Sequence, residues 1–166
     1  MSRAFVKEGD GDSGDSGLPD RPVSPHPNYV TPDGLEQLRQ EASRLEALRA
    51  ELAESPDDIA LRDRLPAVER DLRYFRQRLQ DAIEVPAPKP PVSRVHFGCT
   101  VEFEDEAGKS YRYRIVGEDQ ADAGHGLISW VSPLARALKD KEVDDEVIWE
   151  RPSGSLTVTV TGVESG

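Results

Sequence analysis

The chain has 166 residues, 32 acidic against 21 basic side chains, a formal net charge of -11 and 36% hydrophobic residues. That length allows one medium domain or two small units, and the acidic balance argues against a protein that grips nucleic acid mainly by its phosphates, which needs a basic surface. One cysteine, Cys99, excludes an intramolecular disulfide and a cysteine-based metal centre, and a small buried strand residue is the expected role. Acidic groups outnumber basic ones in residues 1–28 (five to three), 29–84 (thirteen to nine) and 85–166 (fourteen to nine), so a protein partner is expected first. The N-terminus lacks the apolar core of a signal peptide and no apolar run approaches spanning length, so the expectation is a cytoplasmic protein without membrane contact.

Residues 1–28 read as a disordered acidic and Pro-rich tail. Gly, Asp and Ser alternate from Gly9 to Gly17, and Pro19, Pro22, Pro25 and Pro27 follow. Such a composition buries too little apolar area to offset the entropy of ordering.

Residues 29–84 read as an antiparallel α-helical coiled-coil hairpin. Thr31 caps, Pro32 takes the first turn and Asp33 suits the positive helix end. Leu35, Leu38, Ala42, Leu45 and Leu52 then form a heptad seam with Arg49 as its polar break. Ser55-Pro56-Asp57-Asp58 stops this helix and starts the next. Leu61, Leu65, Val68, Leu72, Phe75, Leu79 and Ala82 continue the seam. Two seams joined by so short a turn fold back on each other. Arms of about 22–28 residues would be about 33–42 Å long. Charged flanks leave only a narrow apolar stripe, which favours a hairpin that projects. Pro66 allows two versions: a kink in one return helix, or a short separate helix over 56–64 with the main arm starting at Pro66.

Val85-Pro86-Ala87-Pro88-Lys89-Pro90-Pro91 marks a stiff linker over residues 85–93. Residues 94–166 then alternate as half-buried strands, over 94–97, 100–105, 110–116, 127–131, 146–150 and 156–163. One helix, from Pro133 to about Lys139, interrupts them, with Ser132 as its cap. The fold class is therefore α+β: a helical hairpin, then a small antiparallel sheet with one short helix.

Catalytic motifs are scarce. His26, His96 and His125 are isolated, and no phosphate loop, nucleophile elbow or zinc-ligand spacing occurs. Glu54, Asp57 and Asp58 cluster at the hairpin tip, where carboxylates either bind Mg²⁺ or cap a helix. Six arginines (Arg62, Arg64, Arg70, Arg73, Arg76, Arg78) face only Asp63, Glu69 and Asp71 along the return arm. That excess suits phosphate contact or ordinary helix-spaced ion pairs.

Three segments carry a resemblance: His96-Phe97-Gly98, Tyr113-Arg114-Ile115-Val116-Gly117, and Ile128-Ser129 followed by Ser132-Pro133-Leu134-Ala135-Arg136-Ala137-Leu138. In order and spacing, from about Val95 onward, they resemble the C-terminal domain of the GreA/GreB transcript-cleavage factors. The resemblance implies an FKBP-like C-terminal fold, without isomerase activity. It implies a monomeric elongation factor that is no enzyme itself and binds RNA polymerase at the rim and interior of the secondary channel. Docking falls on Glu118, Asp119, Asp122, Ser132 and Pro133, with Arg70, Arg73, Arg76 and Arg78 facing the nascent RNA. The factor needs no cofactor or stable metal of its own; tip carboxylates would help hold the Mg²⁺ of the polymerase active site. This tip departs from the family pattern, Gly-Asp-x-x-Glu-Asn-Ala-x-Tyr, by reading Glu54-Ser55-Pro56-Asp57-Asp58. The hairpin is also shorter by about a dozen residues, which withdraws the tip by about 9 Å. Two readings stay open: stimulated cleavage through Glu54, Asp57 and Asp58, or a Rnk-like regulator that binds polymerase without cleavage. A third is an FKBP-like isomerase or scaffold unrelated to polymerase.

Overall fold

The computed structural model describes residues 18–166; the first seventeen residues of the expected tail lie outside the described residues. The elements in chain order are β1 (Asn28–Val30), α1 (Pro32–Ala53), α2 (Ile59–Arg62), α3 (Leu65–Gln80), β2 (Ala82–Glu84), β3 (Thr100–Asp105), β4 (Ser110–Val116), β5 (Leu127–Ser129), α4 (Pro133–Leu138), β6 (Glu146–Trp149) and β7 (Leu156–Glu164). Single 3₁₀ turns at Glu118–Gln120 and Ala123–His125 lie between β4 and β5.

Helix α1 starts as its sequence dictates, with Thr31 Oγ1 accepting from the Gly34 N–H at 3.0 Å and Pro32 in the first turn. Its buried residues are Gly34, Leu35, Leu38, Ala42, Leu45 and Leu52, the seam expected from spacing. Two clusters hold α1 against α3. Leu45, Leu52, Val68 and Leu72 form the distal one, flanked by Leu48, Leu61, Leu65 and Phe75. Val30, Leu35 and Leu38 form the proximal one, with Phe75, Leu79 and Ala82. Early residues of α1 thus meet late residues of α3, so the helices run antiparallel. The distal cluster is built of hairpin residues alone.

Pro66 resolves to the second version. The chain breaks into the four-residue α2 and then α3, with Pro66 in α3's first turn, where a missing N–H costs nothing. The arms are therefore unequal, with 22 residues in α1 and 16 in α3, or about 33 Å and about 24 Å.

The hairpin's base carries an element that the local pattern hides. Strand β1 pairs in parallel with β2, with Asn28 opposite Ala82 and Val30 opposite Glu84. Residues 28–30 and 82–84 thus zip the two arms together, and residue 28 belongs to a strand rather than a tail. The proline-rich stretch is held down as well: Val85 N donates to Val30 O at 2.8 Å, and Ser165 Oγ donates to Pro88 O.

The C-terminal unit is a five-stranded sheet in the order β5-β4-β3-β7-β6. Four of its strands begin and end within a residue of expectation, because period-two alternation places Val101 and Phe103 inside and Glu102 and Glu104 toward the other face. Asp105 shapes the β3–β4 turn, its Oδ1 accepting from Ala107 N and Lys109 N at 3.0 and 2.9 Å, and Gly108 takes the left-handed φ of +79° there. Three expectations need correction. Residues 94–97 form no strand, only an isolated bridge between Arg94 and Glu142. The fourth expected strand stops at Ser129, where Ser132 N turns back onto Ser129 O at 2.9 Å. The sheet is also not wholly antiparallel, since β5 runs parallel to β4, with Arg114 opposite Leu127. The two 3₁₀ turns carry the chain back to Arg114, so that β5 runs beside the last three residues of β4 in the same direction. One face of the sheet packs with α4 around Phe103, Ile115, Leu134, Leu138, Val147, Val158 and Val160. Cys99 is buried immediately before β3, and burial raises its thiol pKa.

Candidate functional site: a hairpin clasped by an acidic turn

The two units meet at the loop after β4. Gly117 is buried because a Cβ there would collide with the carbonyl oxygen of Tyr29 in β1. The following turn, Glu118–Gln120, points its side chains inward. Arg78, on the last turn of α3, has a side chain 2% exposed. Its Nε donates to Asp119 Oδ2, its Nη2 donates to Asn28 Oδ1 at 2.6 Å, and Glu118 Oε2 lies 3.7 Å from Nη2. Asn28 returns the contact by donating Nδ2 to Arg78 O at 2.7 Å. Tyr74, one turn earlier on α3, donates its hydroxyl to Asp119 Oδ1. Both oxygens of Asp119 are thereby used. The residue lies at the surface, yet its side chain is only 14% exposed, because the carboxylate turns in while the backbone stays out. Burial, then the Asp119 hydrogen bond, push the Tyr74 phenol up to about 12.

A second set of contacts grips α1. Gln120 accepts from Thr31 Oγ1 and donates Nε2 to Asp33 Oδ2 at 2.7 Å. Arg114 of β4 forks onto Asp33 at 2.9 and 3.1 Å, the bidentate geometry that makes arginine–carboxylate pairs directional. Burial would raise the Asp33 pKa, but the Arg114 and Thr31 hydrogen bonds outweigh it and hold the carboxyl below its ordinary value. Gly34 belongs here too, since a Cβ would come within 2.5 Å of Gln120 Oε1.

These contacts relocate several residues singled out from sequence. Asp119, expected as a docking acid, also anchors the hairpin through both carboxylate oxygens, while Glu118 Oε2 approaches Arg78 without a hydrogen bond. Arg78, expected to face nucleic acid, is buried and cannot reach one. The burial of Arg78 is a correction with a tertiary cause: the turn and the helix end cover one another. Arg73 and Arg76 lie at the surface and Arg70 is half-buried, each with a carboxylate partner: Asp20 at 2.8 Å, Glu46 at 2.8 Å and Asp71 at 2.9 Å respectively. The clasp residues Asn28, Tyr74 and Gln120 carry no sequence motif, and Arg114 lies in the Tyr113–Gly117 motif without any sign there of its partner Asp33. Thr31 and Asp33 do, but as a helix start rather than an interface.

Asp122 is exposed, and its Oδ2 lies 2.7 Å from His125 Nδ1, a hydrogen bond that lowers the Asp122 pKa. Ser132 caps α4 by accepting from Ala135 N at 3.2 Å, with Pro133 exposed beside it. Behind this corner Tyr29, Val85, Phe97, Trp130 and Lys139 line a cavity of about 490 Å³. At the far end of the hairpin, Glu54 is the C-cap of α1 and Asp58 the N-cap of α2, its Oδ1 accepting from Leu61 N at 3.2 Å. Asp57 is exposed in the turn between them. Among the described residues no three His, Cys, Asp or Glu side chains converge as a metal ion would need.

The family model described as "Transcription elongation factor, GreA/GreB, C-term" matches residues 79–165. A transcription elongation factor GreB of Xanthomonas axonopodis is 37% identical over 150 residues, covering 81% of this chain and 89% of that protein. The chain belongs to the GreA/GreB family of transcription elongation factors. A GreB of Pseudomonas aeruginosa is 34% identical, covering 81% of this chain and 89% of that protein. Among solved structures, GreA factor homolog 1 of Thermus thermophilus is 24% identical, covering 84% of this chain and 99% of that one with a TM-score of 0.41. No helix among the described residues is long and apolar enough to cross a membrane.

Proposed function

We propose that this Gre-family factor binds RNA polymerase through its FKBP-like C-terminal unit. Its coiled-coil hairpin enters the secondary channel as an occupant rather than as a cleavage tip. The carrying observation is Asp58: a carboxylate that would have to face the polymerase Mg²⁺ is used on the Leu61 N–H as a helix cap. A helix end that loses its cap loses stability, so that carboxylate is held at the turn. With one oxygen of Asp58 engaged in this way, the Glu54–Asp57–Asp58 set is a poorer fit to a shared metal-holding role than to capping.

Docking then rests on exposed Asp122 in the β4–β5 loop and on half-buried Ser132 and exposed Pro133 at the strand-to-helix corner. Glu118 and Asp119 serve docking indirectly, by fixing the direction in which the hairpin leaves the C-terminal unit. Packing of the distal cluster entirely between hairpin residues supports a rod that stands away from its base. The factor has no reaction of its own in this reading and acts as a monomer.

A second reading, stimulated cleavage, draws on Glu54 and Asp57, whose exposed carboxylates accept no hydrogen bond among the described residues. The deciding experiment measures transcript cleavage in backtracked elongation complexes. It compares wild type with a Glu54→Ala/Asp57→Ala/Asp58→Ala variant, and polymerase binding by both is measured in parallel. Binding without cleavage is the expected result. Cleavage by wild type that the variant lacks would replace the first reading by the second, and absence of polymerase binding would overturn both.

A further inference from the structure

Residues 18–23 precede β1 and lie along α3, on the face that carries its surface arginines. Asp20 Oδ1 accepts from Nε of Arg73 at 2.8 Å, lies 2.8 Å from its Nη2, and is that guanidinium's only carboxylate among the described residues. The next residue, Arg21, places its guanidinium 3.9 Å from the centroid of the Tyr74 ring and 3.6 Å from Asp71 Oδ1. Val23, Arg70, Arg76 and Gln77 complete this shallow groove.

Each contact occupies something that single-stranded nucleic acid uses. An arginine fork accepts a phosphate as readily as a carboxylate. An exposed aromatic face beside arginines is where a base stacks, whatever its identity. The ring is ready for that, because its hydroxyl is tied to Asp119 and its edge cannot swing. We propose that Asp20 and Arg21 form an intramolecular strap that imitates a nucleotide on α3, Asp20 in the phosphate position on Arg73 and Arg21 in the base position on Tyr74. The strap lowers the affinity of this arm for single-stranded RNA until an RNA strand displaces it.

The contacts are exposed, Asp20 at 71% and Arg73 at 48%, so the strap is weak enough to exchange. Because it is tethered, a displaced Asp20 returns at an effective concentration on the order of millimolar. The sequence preceding it adds Glu8, Asp10, Asp12 and Asp15 against Arg3 and Lys7. That net negative charge also opposes a polyanion. The inference needs no polymerase, so it stands or falls apart from the function proposed above.

The test uses the full chain and a fluorescein-labelled twelve-nucleotide oligouridylate, read by anisotropy at low and moderate salt. Wild type is compared with Asp20→Asn, Arg21→Ala, the double variant, and the double variant carrying Arg73→Ala. Each exposed contact is worth under about 1 kcal/mol, so each single variant should bind about two- to fivefold tighter than wild type and the double variant about tenfold tighter. Arg73→Ala should cancel most of that gain. Equal affinities for wild type and double variant, a gain that survives Arg73→Ala, or no RNA binding by any variant would each overturn the proposal. Matching thermal melts confirm that all variants are folded.

Discussion

Removing Arg78 tests the clasp most directly. Its guanidinium holds Asp119, Glu118 and Asn28, and an alanine would leave two carboxylates facing each other with no cation between them. Breaking a buried ion pair by deleting one partner costs about 3–5 kcal/mol. Glu118 and Asp119 keep 22% and 14% of their side-chain exposure, so water can recover part of that loss. The expected cost of Arg78→Ala is therefore about 2–3 kcal/mol, a fall in Tm of about 5–10 °C for a chain of this size. Urea denaturation followed by circular dichroism measures the cost, and hydrogen exchange locates it. Protection should fall at residues 76–82 and at β1, and persist in the distal cluster of Leu45, Leu52, Val68 and Leu72, which lies farther along the hairpin. Arg78→Lys should recover less than half, since an ammonium cannot fork between Asp119 and Asn28. A double-mutant cycle with Asp119→Asn should give a coupling of about 1–2 kcal/mol. A cost under about 0.5 kcal/mol, the usual range of surface changes, or a coupling near zero would refute the assignment of Arg78 as the anchor.

Three further outcomes follow from the same geometry. The Tyr74 phenol is ordinary when unfolded and pushed up to about 12 when folded, so its contribution is full below pH 10 and disappears as pH rises through about 12. A tyrosinate absorbance titration should show one phenol lagging the others, and Tyr74→Phe should remove the lag and cost about 0.5–1.5 kcal/mol at neutral pH. Gly117→Ala should cost about 1–3 kcal/mol by forcing β1 from the loop, visible as a lower Tm, whereas Gly108→Ala meets no neighbouring atom within 4 Å and is limited to its backbone strain. Asp58→Ala should cost about 0.5–2 kcal/mol through its cap and Asp57→Ala almost nothing, a difference hydrogen exchange at residues 59–65 should resolve.

Sequence alone determined whatever depends on neighbours along the chain. The seams of α1 and α3 were legible because a residue's place on a helix follows from its spacing, and the strands because alternation fixes their inner face. The Ser132-Pro133 start of α4 and the Thr31-Pro32 start of α1 were legible because caps and first turns are local chemistry. The family followed from those same segments, being matched from residue 79 onward. Tertiary structure decided the rest. Nothing local distinguishes Arg78 from Arg76 on a charged helix; only the arrival of Asp119 and Asn28 from distant segments makes one buried and leaves the other at the surface. Glu118 and Asp119 read as a solvated acidic loop for the same reason. The parallel pairing of β1 with β2 joins short segments on opposite sides of the hairpin, so no periodicity announces it. Asp20 and Arg21 sit in a proline-rich stretch that reads as unstructured, and they gain a place only because α3 offers Arg73 and Tyr74 at matching positions. A side chain's charge is written in the sequence, but whether that charge faces water or a partner depends on which distant segment folds against it.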